Sequence, residues 1–329
     1  MGVPLNIKAK LPGIALSVLV GLVAIFLSAH YAAPAMLFAL LLGIAMSFVY
    51  AGTRCKDGID FTACHILRIG VGLLGLRIAF GDLVALGWQT AMMLLVAIVS
   101  TIALGIVLAK VLGLQKRFGV LTGGAVGICG ASAAMAIAAV LPESKDKDRD
   151  TLLTIVGVTA LSTVAMVIYP LVASLFEFDS TQTSIFLGGT IHDVAQVVGA
   201  GYSVSEQTGD LATLTKLVRV AFLMPVVVCI LLVLRINLDK TSAATPVGVP
   251  AFLIAFVVLM TVNSIVDLPA AITQGAADIS RYALVISIAA IGMKSNLAQL
   301  LQVGVKPILL LVIETLWIAG FILVCLIYI

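Results

Sequence analysis

The chain has 329 residues, of which 62% are hydrophobic and 11% charged, with a mean hydropathy of +1.22 and a net charge of +3. A soluble globular protein is about 45–50% apolar and about 25% charged, so this chain cannot cover a water-facing surface of its own size. The composition excludes a soluble enzyme, a nucleic-acid-binding protein and a disordered chain. It predicts an all-α polytopic membrane protein that is surrounded by the lipid bilayer.

Apolar segments follow one another along nearly the whole chain. A spanning helix needs about 20 mostly apolar residues, and about eleven segments approach that length, so we expect about 9–11 transmembrane segments. The polar stretches between them are too short for a soluble domain, which indicates a single membrane domain over 1–329. The first segment follows Lys8 and Lys10 as a signal peptide would, but it lacks a clean cleavage site and is expected to be a retained helix. The segments lie near 13–30, 34–51, 61–81, 85–109, 118–141, 151–176, 183–201, 211–235, 248–267, 271–293 and 303–328.

The sequence lacks the motifs of several enzyme classes and metal sites. It contains no Walker motif, no H-E-x-x-H and no G-x-S-x-G, which excludes ATP-driven pumping within this chain and gives no indication of an enzyme. The five cysteines form no C-x-x-C pair and no metal-binding spacing, so we interpret them as small apolar packing residues. We expect no cofactor and no metal, and any function must be built from the spans themselves.

Glycine interrupts two of the apolar segments. Residues 123–132 read GGAVGICGAS, and residues 188–201 read GGTIHDVAQVVGAG. Each glycine costs a helix about 1 kcal/mol relative to alanine. Both segments are therefore expected to break partway, as re-entrant hairpins or as broken full-length helices.

The distribution of Lys and Arg favours re-entrant hairpins. These residues concentrate in short cytoplasmic loops, and eleven full crossings from a cytoplasmic N-terminus would place the basic loop 145–149 outside. If the first hairpin enters from the cytoplasm and the second from outside, the outer side keeps only Arg77, Lys216 and Arg281. The cytoplasmic side then collects Lys8, Lys10, Arg54, Lys56, Lys110, Lys116, Arg117, Lys145, Lys147, Arg149, Arg235, Lys240, Lys294 and Lys306.

Matched motifs predict inverted repeats. Residues 74–83 (LGLRIAFGDL) and 291–300 (IGMKSNLAQL) share a glycine, a basic residue two positions later and a final leucine, and a further glycine follows each motif. The openings at Gly123 and Gly188 form a second matched pair. Inverted repeats with interrupted segments are typical of secondary transporters. The two repeats are expected near 11–141 and 183–329, with a linking helix near 151–176.

The first glycine-rich segment is a candidate ligand site. Non-helical backbone at membrane depth is tolerated only where protein or a water-filled cavity surrounds it, and helix N-termini there suit an anion. Glycines would let a ligand approach the backbone, and Ser132 and Thr122 would add hydroxyl donors. The alternative is that the glycines only permit close helix packing. The candidate substrate-binding residues are Gly123, Gly124, Gly127, Gly130 and Ser132.

The second glycine-rich segment adds ionisable groups. Histidine titrates near neutrality, so His192 beside Asp193 is a candidate proton-coupling pair. The alternative is a hydrogen bond between them that only closes the hairpin tip. Polar groups at membrane depth are costly to keep, which favours a function. The candidate substrate-binding residues of this segment are Gly188, Gly189, Thr190 and Gln196.

Basic residues within apolar segments are candidates for the charge of an anion. Arg68 could meet an anion, or its side chain could extend to the membrane interface. Arg219 follows Lys216 by three residues and is expected to be the deeper of the two. We therefore regard Arg219 as the better anion ligand and expect Lys216 at the interface.

Two further polar sites remain. Asn263 is a candidate substrate ligand. It ends its segment together with Ser264 and Asp267. These side chains either supply oxygen ligands or cap the end of the helix. Glu314 stands in the last apolar segment with no basic residue near it in sequence. It is a candidate proton carrier or a hydrogen-bonded structural acid.

Several motifs resemble those of a known family. LRIGVGLLGLRI (67–78), GGAVGICGASAAMAIAAV (123–140), GGTIHDVAQVVGAG (188–201) and KLVR (216–219) are similar to the YeiH-like sulfate exporter family of bacterial inner-membrane proteins. Its wider clan includes bile-acid, sodium–proton and 2-hydroxycarboxylate transporters, and in the last of these paired re-entrant loops meet from opposite sides. The resemblance implies an inner-membrane protein with a dimerising scaffold and a moving core that holds both hairpins.

Together these features predict a secondary active transporter of a small anion, such as sulfate, a sulfonate or a carboxylate, coupled to H⁺ or Na⁺. The hairpin dipoles and the arginines would hold the anion, while His192 and Asp193, or Glu314, would carry the proton. Two alternatives stay open. One is a passive anion or water channel that uses the same hairpins as its filter, and the other is a membrane scaffold that needs a partner chain.

Overall fold

The computed structural model describes residues 7–31, 34–50, 53–142, 144, 146–237, 251–266, 268–294 and 304–328. No β-strand occurs within these ranges, and α-helices joined by short turns dominate, which confirms the all-α class. Lys145, Lys240, Asp267 and residues 295–300 of the second basic motif lie outside the described residues. In chain order the helices are α1 (Ile7–Tyr31), α2 (Ala35–Ala45), α3 (Lys56–Phe61), α4 (Leu67–Leu73), α5 (Phe80–Ala85), α6 (Gly87–Val111), α7 (Lys116–Gly127), α8 (Ala131–Val140), α9 (Lys147–Leu175), α10 (Ser180–Thr190), α11 (Val194–Val204), α12 (Glu206–Ala221), α13 (Leu223–Asn237), α14 (Ala251–Ile265), α15 (Ala270–Lys294) and α16 (Val305–Tyr328).

In the described part of the chain, seven helical stretches are long and apolar enough to cross a membrane. The shortest has 21 residues and the longest 29, which at about 1.5 Å per residue covers the roughly 30 Å hydrocarbon core. Shorter apolar helices, α2, α8, α11 and α14, lie between them. The chain is therefore a polytopic α-helical membrane protein. The long stretches are Ala9–Tyr31, Lys56–Leu76, Gly87–Val111, Lys147–Leu175, Glu206–Val233, Ala271–Lys294 and Val305–Tyr328.

The first glycine-rich segment forms a re-entrant hairpin. Its arms, α7 and α8, have 12 and 10 residues, roughly half the length of a spanning helix. Gly124 on α7 lies against Ile137 on α8, and Arg117 at the start of α7 lines the same small cavity as Leu141 at the end of α8. Because the outer ends of both arms lie together, this segment does not cross the membrane fully. Gly130 closes the tip with φ of +62°, a conformation that glycine adopts without strain.

The chain divides into two compact units. Unit 1 comprises Met1–Ala85, Val198–Asp210 and Pro250–Asn296, and within it α15 packs against α1, α2 and α4. Unit 2 comprises Leu86–Val197, Leu211–Val249 and Leu297–Ile329, and within it α6 packs against α7 and α16. The breaks of both glycine-rich segments lie in unit 2.

Basic side chains share one end of unit 2. Arg117 and Lys147 line the same cavity. The ammonium of Lys306 lies beside Gly113, whose N–H donates to the carbonyl of Lys110 in the last turn of α6 at 3.2 Å. This grouping agrees with the hairpin topology, which assigns all four basic residues to one side of the membrane.

Unit 1 carries basic side chains at both of its ends. Lys294, the last residue of α15, forms an ion pair with Asp60 at 2.7 Å. Arg281 lies on the same helix, roughly 20 Å from Lys294 along its axis, and pairs with Glu206 at 3.6 Å. The sequence-based topology likewise assigns Lys294 and Arg281 to opposite sides.

Candidate functional site

A fully buried lysine connects the two broken segments inside unit 2. The Nζ of Lys216 donates hydrogen bonds to the backbone carbonyls of Ile128 and Ile191, each at 2.8 Å. Ile128 belongs to the first break and Ile191 to the second, so a single ammonium contacts both. The expectation that Lys216 lies at the membrane interface is wrong, because its side chain is fully buried. An ammonium taken out of water requires such acceptors to offset its lost hydration.

Arg219, one helical turn further along α12, binds the same two segments. It is also fully buried, and its Nε donates to the carbonyl of Gly127 at 2.5 Å. Nη1 donates to the carbonyls of Gly189 and Ile191 at 2.6 and 3.2 Å, and Nη2 donates to the carbonyl of Val126. The guanidinium donors therefore contact backbone, so Arg219 acts here as a cation that holds the two breaks together.

The position of these cations follows from helix electrostatics. The last carbonyls of a helix have no partner within the helix, and they carry roughly half a negative charge. α7 ends at Gly127 and α10 ends at Thr190. Both half-helices therefore direct a negative end toward the place where Lys216 and Arg219 contact both broken segments, which we call the crossing. Lys216 and Arg219 neutralise both ends in the buried interior of unit 2, where an uncompensated polar group would be costly.

Several glycines of the two segments allow close helix packing. A Cβ on Gly123 would lie 2.8 Å from the Cα of Ile102 on α6. A Cβ on Gly188 would lie 2.7 Å from the Cβ of Thr215 on α12. At these two positions the structure shows the packing role that the sequence had left as an alternative.

His192 occupies the second break and is fully buried. Its Nε2 lies 2.9 Å from the hydroxyl oxygen of Thr315 on α16. Its Nδ1 makes no hydrogen bond of good geometry with the described residues, although the backbones of Val126 and Thr190 lie beside the ring. The hydroxyl of Thr190 donates to Phe186 within α10, at 2.6 Å.

Asp193 and Gln196 begin the second arm of that segment. A carboxylate oxygen of Asp193 accepts from the backbone N–H of Ala195 at 3.2 Å, so Asp193 caps the start of α11. Its own N–H donates to the hydroxyl of Ser162 on α9 at 3.1 Å. Gln196 is buried, and its Oε1 has no hydrogen-bond partner within the described ranges. An unsatisfied buried amide oxygen is a group that a ligand or water could bind.

Glu314 is a fully buried acid near the middle of α16. Its Oε1 accepts from the hydroxyl of Thr122 on α7 at 2.8 Å, while Oε2 has no partner among the described residues. The next residue, Thr315, contacts His192. α16 therefore places two adjacent polar side chains against the two different broken segments.

The remaining predicted residues lie elsewhere. Arg68 is exposed on α4 of unit 1. Asn263 also belongs to unit 1, where its amide lies 3.5 Å from the carbonyl of Ile78. Ser132 is exposed in the first turn of α8, in unit 2. Sequence reasoning missed Ser162 and Thr315, because a hydroxyl in a long apolar helix gives no local signal of its partner.

The fold and the crossing define a polytopic α-helical membrane protein with two glycine-broken segments joined by buried cations. The chain matches the family described as conserved hypothetical protein 698 over residues 12–311. It is 49% identical to a UPF0324 membrane protein of Chlorobaculum tepidum, over 95% of this chain and 88% of that one. It is also 49% identical to the UPF0324 membrane protein TauZ of Paracoccus denitrificans, over 96% and 94% of the two chains. The chain belongs to this family of membrane proteins, which confirms the resemblance drawn from its motifs.

One solved structure is similar at low level. It is the sodium proton antiporter MjNhaP1 from Methanocaldococcus jannaschii, with 14% identity and a TM-score of 0.28. The match covers 97% of this chain and 99% of the other. That TM-score is too low to establish a shared fold.

Proposed function

We propose that this protein is a secondary active transporter that moves a small anion across the bacterial inner membrane by alternating access, driven by a gradient of H⁺ or Na⁺. The observation that carries the proposal is the crossing in unit 2, where Lys216 and Arg219 bind backbone carbonyls of both broken segments. Discontinuous membrane helices of this kind form the substrate and ion sites of many secondary transporters. A scaffold protein has no need of two costly interrupted segments.

The balance of charge at the crossing supports an anionic substrate. Lys216 and Arg219 bring two positive charges, and the C-terminal ends of α7 and α10 bring about −0.5 each. The N-terminal ends of α8 and α11 add about +0.5 each, while Asp193 contributes one negative charge at most. The crossing is thus positive by about one charge. In a low-dielectric interior this charge attracts an anion more strongly than the same charge would in bulk water.

The start of α8 is the proposed anion position. Within the described ranges, no side chain caps this helix end, and Ser132 is exposed in its first turn. The start of α11 differs, because the carboxylate of Asp193 already accepts from its backbone. Gly130 lies beside His192, so an anion at α8 would be close to the second break. Ser132 and the backbone after Gly130 would donate to it.

Glu314 and His192 are the proposed coupling groups. An ionised Glu314 would leave one buried oxygen without a donor, which is unfavourable in a protein interior. Protonation removes the buried negative charge, so binding or release of a proton favours different surroundings of the side chain. Because Glu314 bonds to Thr122 on the first hairpin, its protonation state affects the element that would hold the anion. This linkage supplies the differential stability that coupled transport requires.

Flux measurements in liposomes test the proposal. The purified full chain should take up labelled sulfate, ethanesulfonate or acetate faster when an inward H⁺ or Na⁺ gradient is applied. Glu314→Gln should retain exchange of the anion at equal pH on both sides but lose its acceleration by a pH gradient. Glu177→Gln, at an exposed position that follows α9, is the matched control and should behave as the wild type. Absence of flux for the whole set of anions under both gradients would refute transport, and single-channel currents would identify the channel alternative.

A further inference from the structure

A cavity of about 200 Å³ lies among residues of unit 1, in a region that the proposed transport mechanism does not use. Its lining combines two arginines, Arg77 and Arg281, with Glu206 and apolar side chains that include Met36 and Leu74. Pockets for drug-sized ligands measure about 300–1,000 Å³, so an occupant of this cavity must be smaller. Positive charge next to apolar walls is a combination that suits a small organic anion.

One carboxylate bridges the two arginines. Oε2 of Glu206 lies 2.9 Å from Nη2 of Arg77, and Oε1 lies 3.6 Å from Nη1 of Arg281. Each oxygen therefore contacts a different guanidinium. A free sulfonate or carboxylate bound between two arginines would make the same pair of contacts.

A second acid fixes Arg77 independently of Glu206. Oδ2 of Asp210 lies 2.9 Å from Nε of Arg77, and the hydroxyl of Tyr202 donates to Oδ1 of Asp210 at 2.5 Å. Burial opposes the charged form of Arg77, but the carboxylates of Asp210 and Glu206 raise its pKa above the ordinary value. Arg77 would thus keep its charge and its position if Glu206 moved away.

Glu206 is the more exposed of the two acids that pair with Arg77. It is the first residue of α12, and its side chain is 55% exposed, against 15% for Asp210. With Glu206 in place, the two arginines face the carboxylates of Glu206 and Asp210, and Asp82 adds a further negative charge near Asp210. An anion that entered without displacing Glu206 would add an uncompensated negative charge, whereas exchange of one for the other preserves the balance.

We propose that this cavity is a binding site for a small organic oxyanion, a short-chain sulfonate or carboxylate, and that Glu206 occupies the anion's position while the site is empty. The two arginines bind the charged group, and the apolar lining binds a short carbon chain. Glu206 is thereby a tethered competitor that sets the affinity. The inference concerns equilibrium binding in unit 1 and does not rest on the proposed transport function.

Calorimetric titration of the detergent-purified full chain with ethanesulfonate and propionate tests this inference, with sulfate and chloride for comparison at constant ionic strength. Glu206→Gln removes the competing charge and should tighten ethanesulfonate binding by about two- to fivefold. Arg281→Gln should weaken it by about two- to fivefold. Asp148→Asn removes an exposed carboxylate from α9 and should leave the affinity unchanged.

Three results would overturn the proposal. These are unchanged or weaker binding by Glu206→Gln, unchanged binding by Arg281→Gln, and tightening by Asp148→Asn that equals that of Glu206→Gln. Equal affinity for chloride and ethanesulfonate would also overturn the assignment of the ligand class. Loss of flux in liposomes would affect only the transport proposal, so the two failures are distinguishable.

Discussion

Replacement of Arg219 by methionine tests whether buried cations hold the two broken segments together. Methionine fills a similar volume but donates no hydrogen bond. Arg219 donates to four backbone carbonyls. The carbonyl of Ile191 would keep Lys216 as a donor, but the other three would lose the donor that Arg219 provides. A buried acceptor left unpaired costs about 1–3 kcal/mol, so the lower bound is about 3 kcal/mol, in line with the 3–5 kcal/mol typical of a broken buried charge pair. The four acceptors are the carbonyls of Val126, Gly127, Gly189 and Ile191.

Thermal stability in detergent, followed by size-exclusion chromatography after heating, measures this loss. For a chain of 329 residues, one kcal/mol corresponds to about 1.5 °C in Tm, at an unfolding entropy of about 2.1 cal/mol/K per residue, so Arg219→Met should lower Tm by at least about 4 °C. Arg219→Lys retains the charge but not the planar guanidinium, so its Tm should lie between those of the wild type and Arg219→Met. The matched control is Arg68→Met, at an exposed arginine of α4, which should change stability by less than about 0.5 kcal/mol. A Tm for Arg219→Met within about 1 °C of that control would refute the structural role of the cation.

Two further substitutions test the packing around Glu314 in unit 2 and the raised pKa of Tyr50 in unit 1. A Cβ on Gly105 would collide with the carboxylate of Glu314, whereas one on Gly320 would meet nothing within 4 Å. Gly105→Ala should therefore lower the free energy of unfolding by about 1–3 kcal/mol, and Gly320→Ala should not. Equal changes in Tm for the two variants would contradict this. Burial, followed by the charge of Asp60, raises the pKa of Tyr50. The folded protein therefore retains the phenol proton where the unfolded chain loses it, so stability should fall as pH rises above about 10. Tyr50→Phe should flatten that decline in Tm, and parallel curves would disprove the assignment.

Hydropathy and glycine content predicted the long apolar helices and the two breaks, because both act locally. Lipid requires a long apolar run in each span, and the segment predicted near 303–328 is α16. Glycines lower helix propensity wherever they cluster, and α7 ends at Gly127 and α10 at Thr190, within the two predicted breaks. The choice between a hairpin and a broken span needed the charge distribution as well, because propensity does not determine the direction of the chain after a break.

The role of the buried cations could not be predicted in the same way, since their partners are remote in the chain. Arg219 and its acceptor Gly127 are 92 residues apart, and the spacing of Lys216 and Arg219 shows only that they share a helix face. Arg68 resembles Arg219 in sequence, as an arginine in an apolar run. The structure exposes the first and buries the second, because only Arg219 lies opposite two helix ends that require a positive charge.

Local geometry agrees with the matched basic motifs. Gly87 and Gly304, which follow these motifs, have φ of +74° and +90°, and each stands at the start of a long helix. In both motifs the basic residue pairs with an aspartate, and a tyrosine hydroxyl donates to that aspartate. The two sets are Arg77, Asp210 and Tyr202, and Lys294, Asp60 and Tyr50.

Chain order limits how the two matched motif pairs can belong to one repeat. Arg77 precedes its glycine-rich break in the chain, whereas Lys294 follows the other break, so collinear repeats cannot contain both pairs in the same order. The pairs become consistent if one half is circularly permuted, with α16 equivalent to α6 and with α10 and α11 equivalent to α7 and α8. The packing in unit 2 agrees with this equivalence, because α6 packs against α7 and α16 packs against α10. The repeat bounds near 11–141 and 183–329 stay a prediction, and the relation between the halves is better sought in packing than in sequence order.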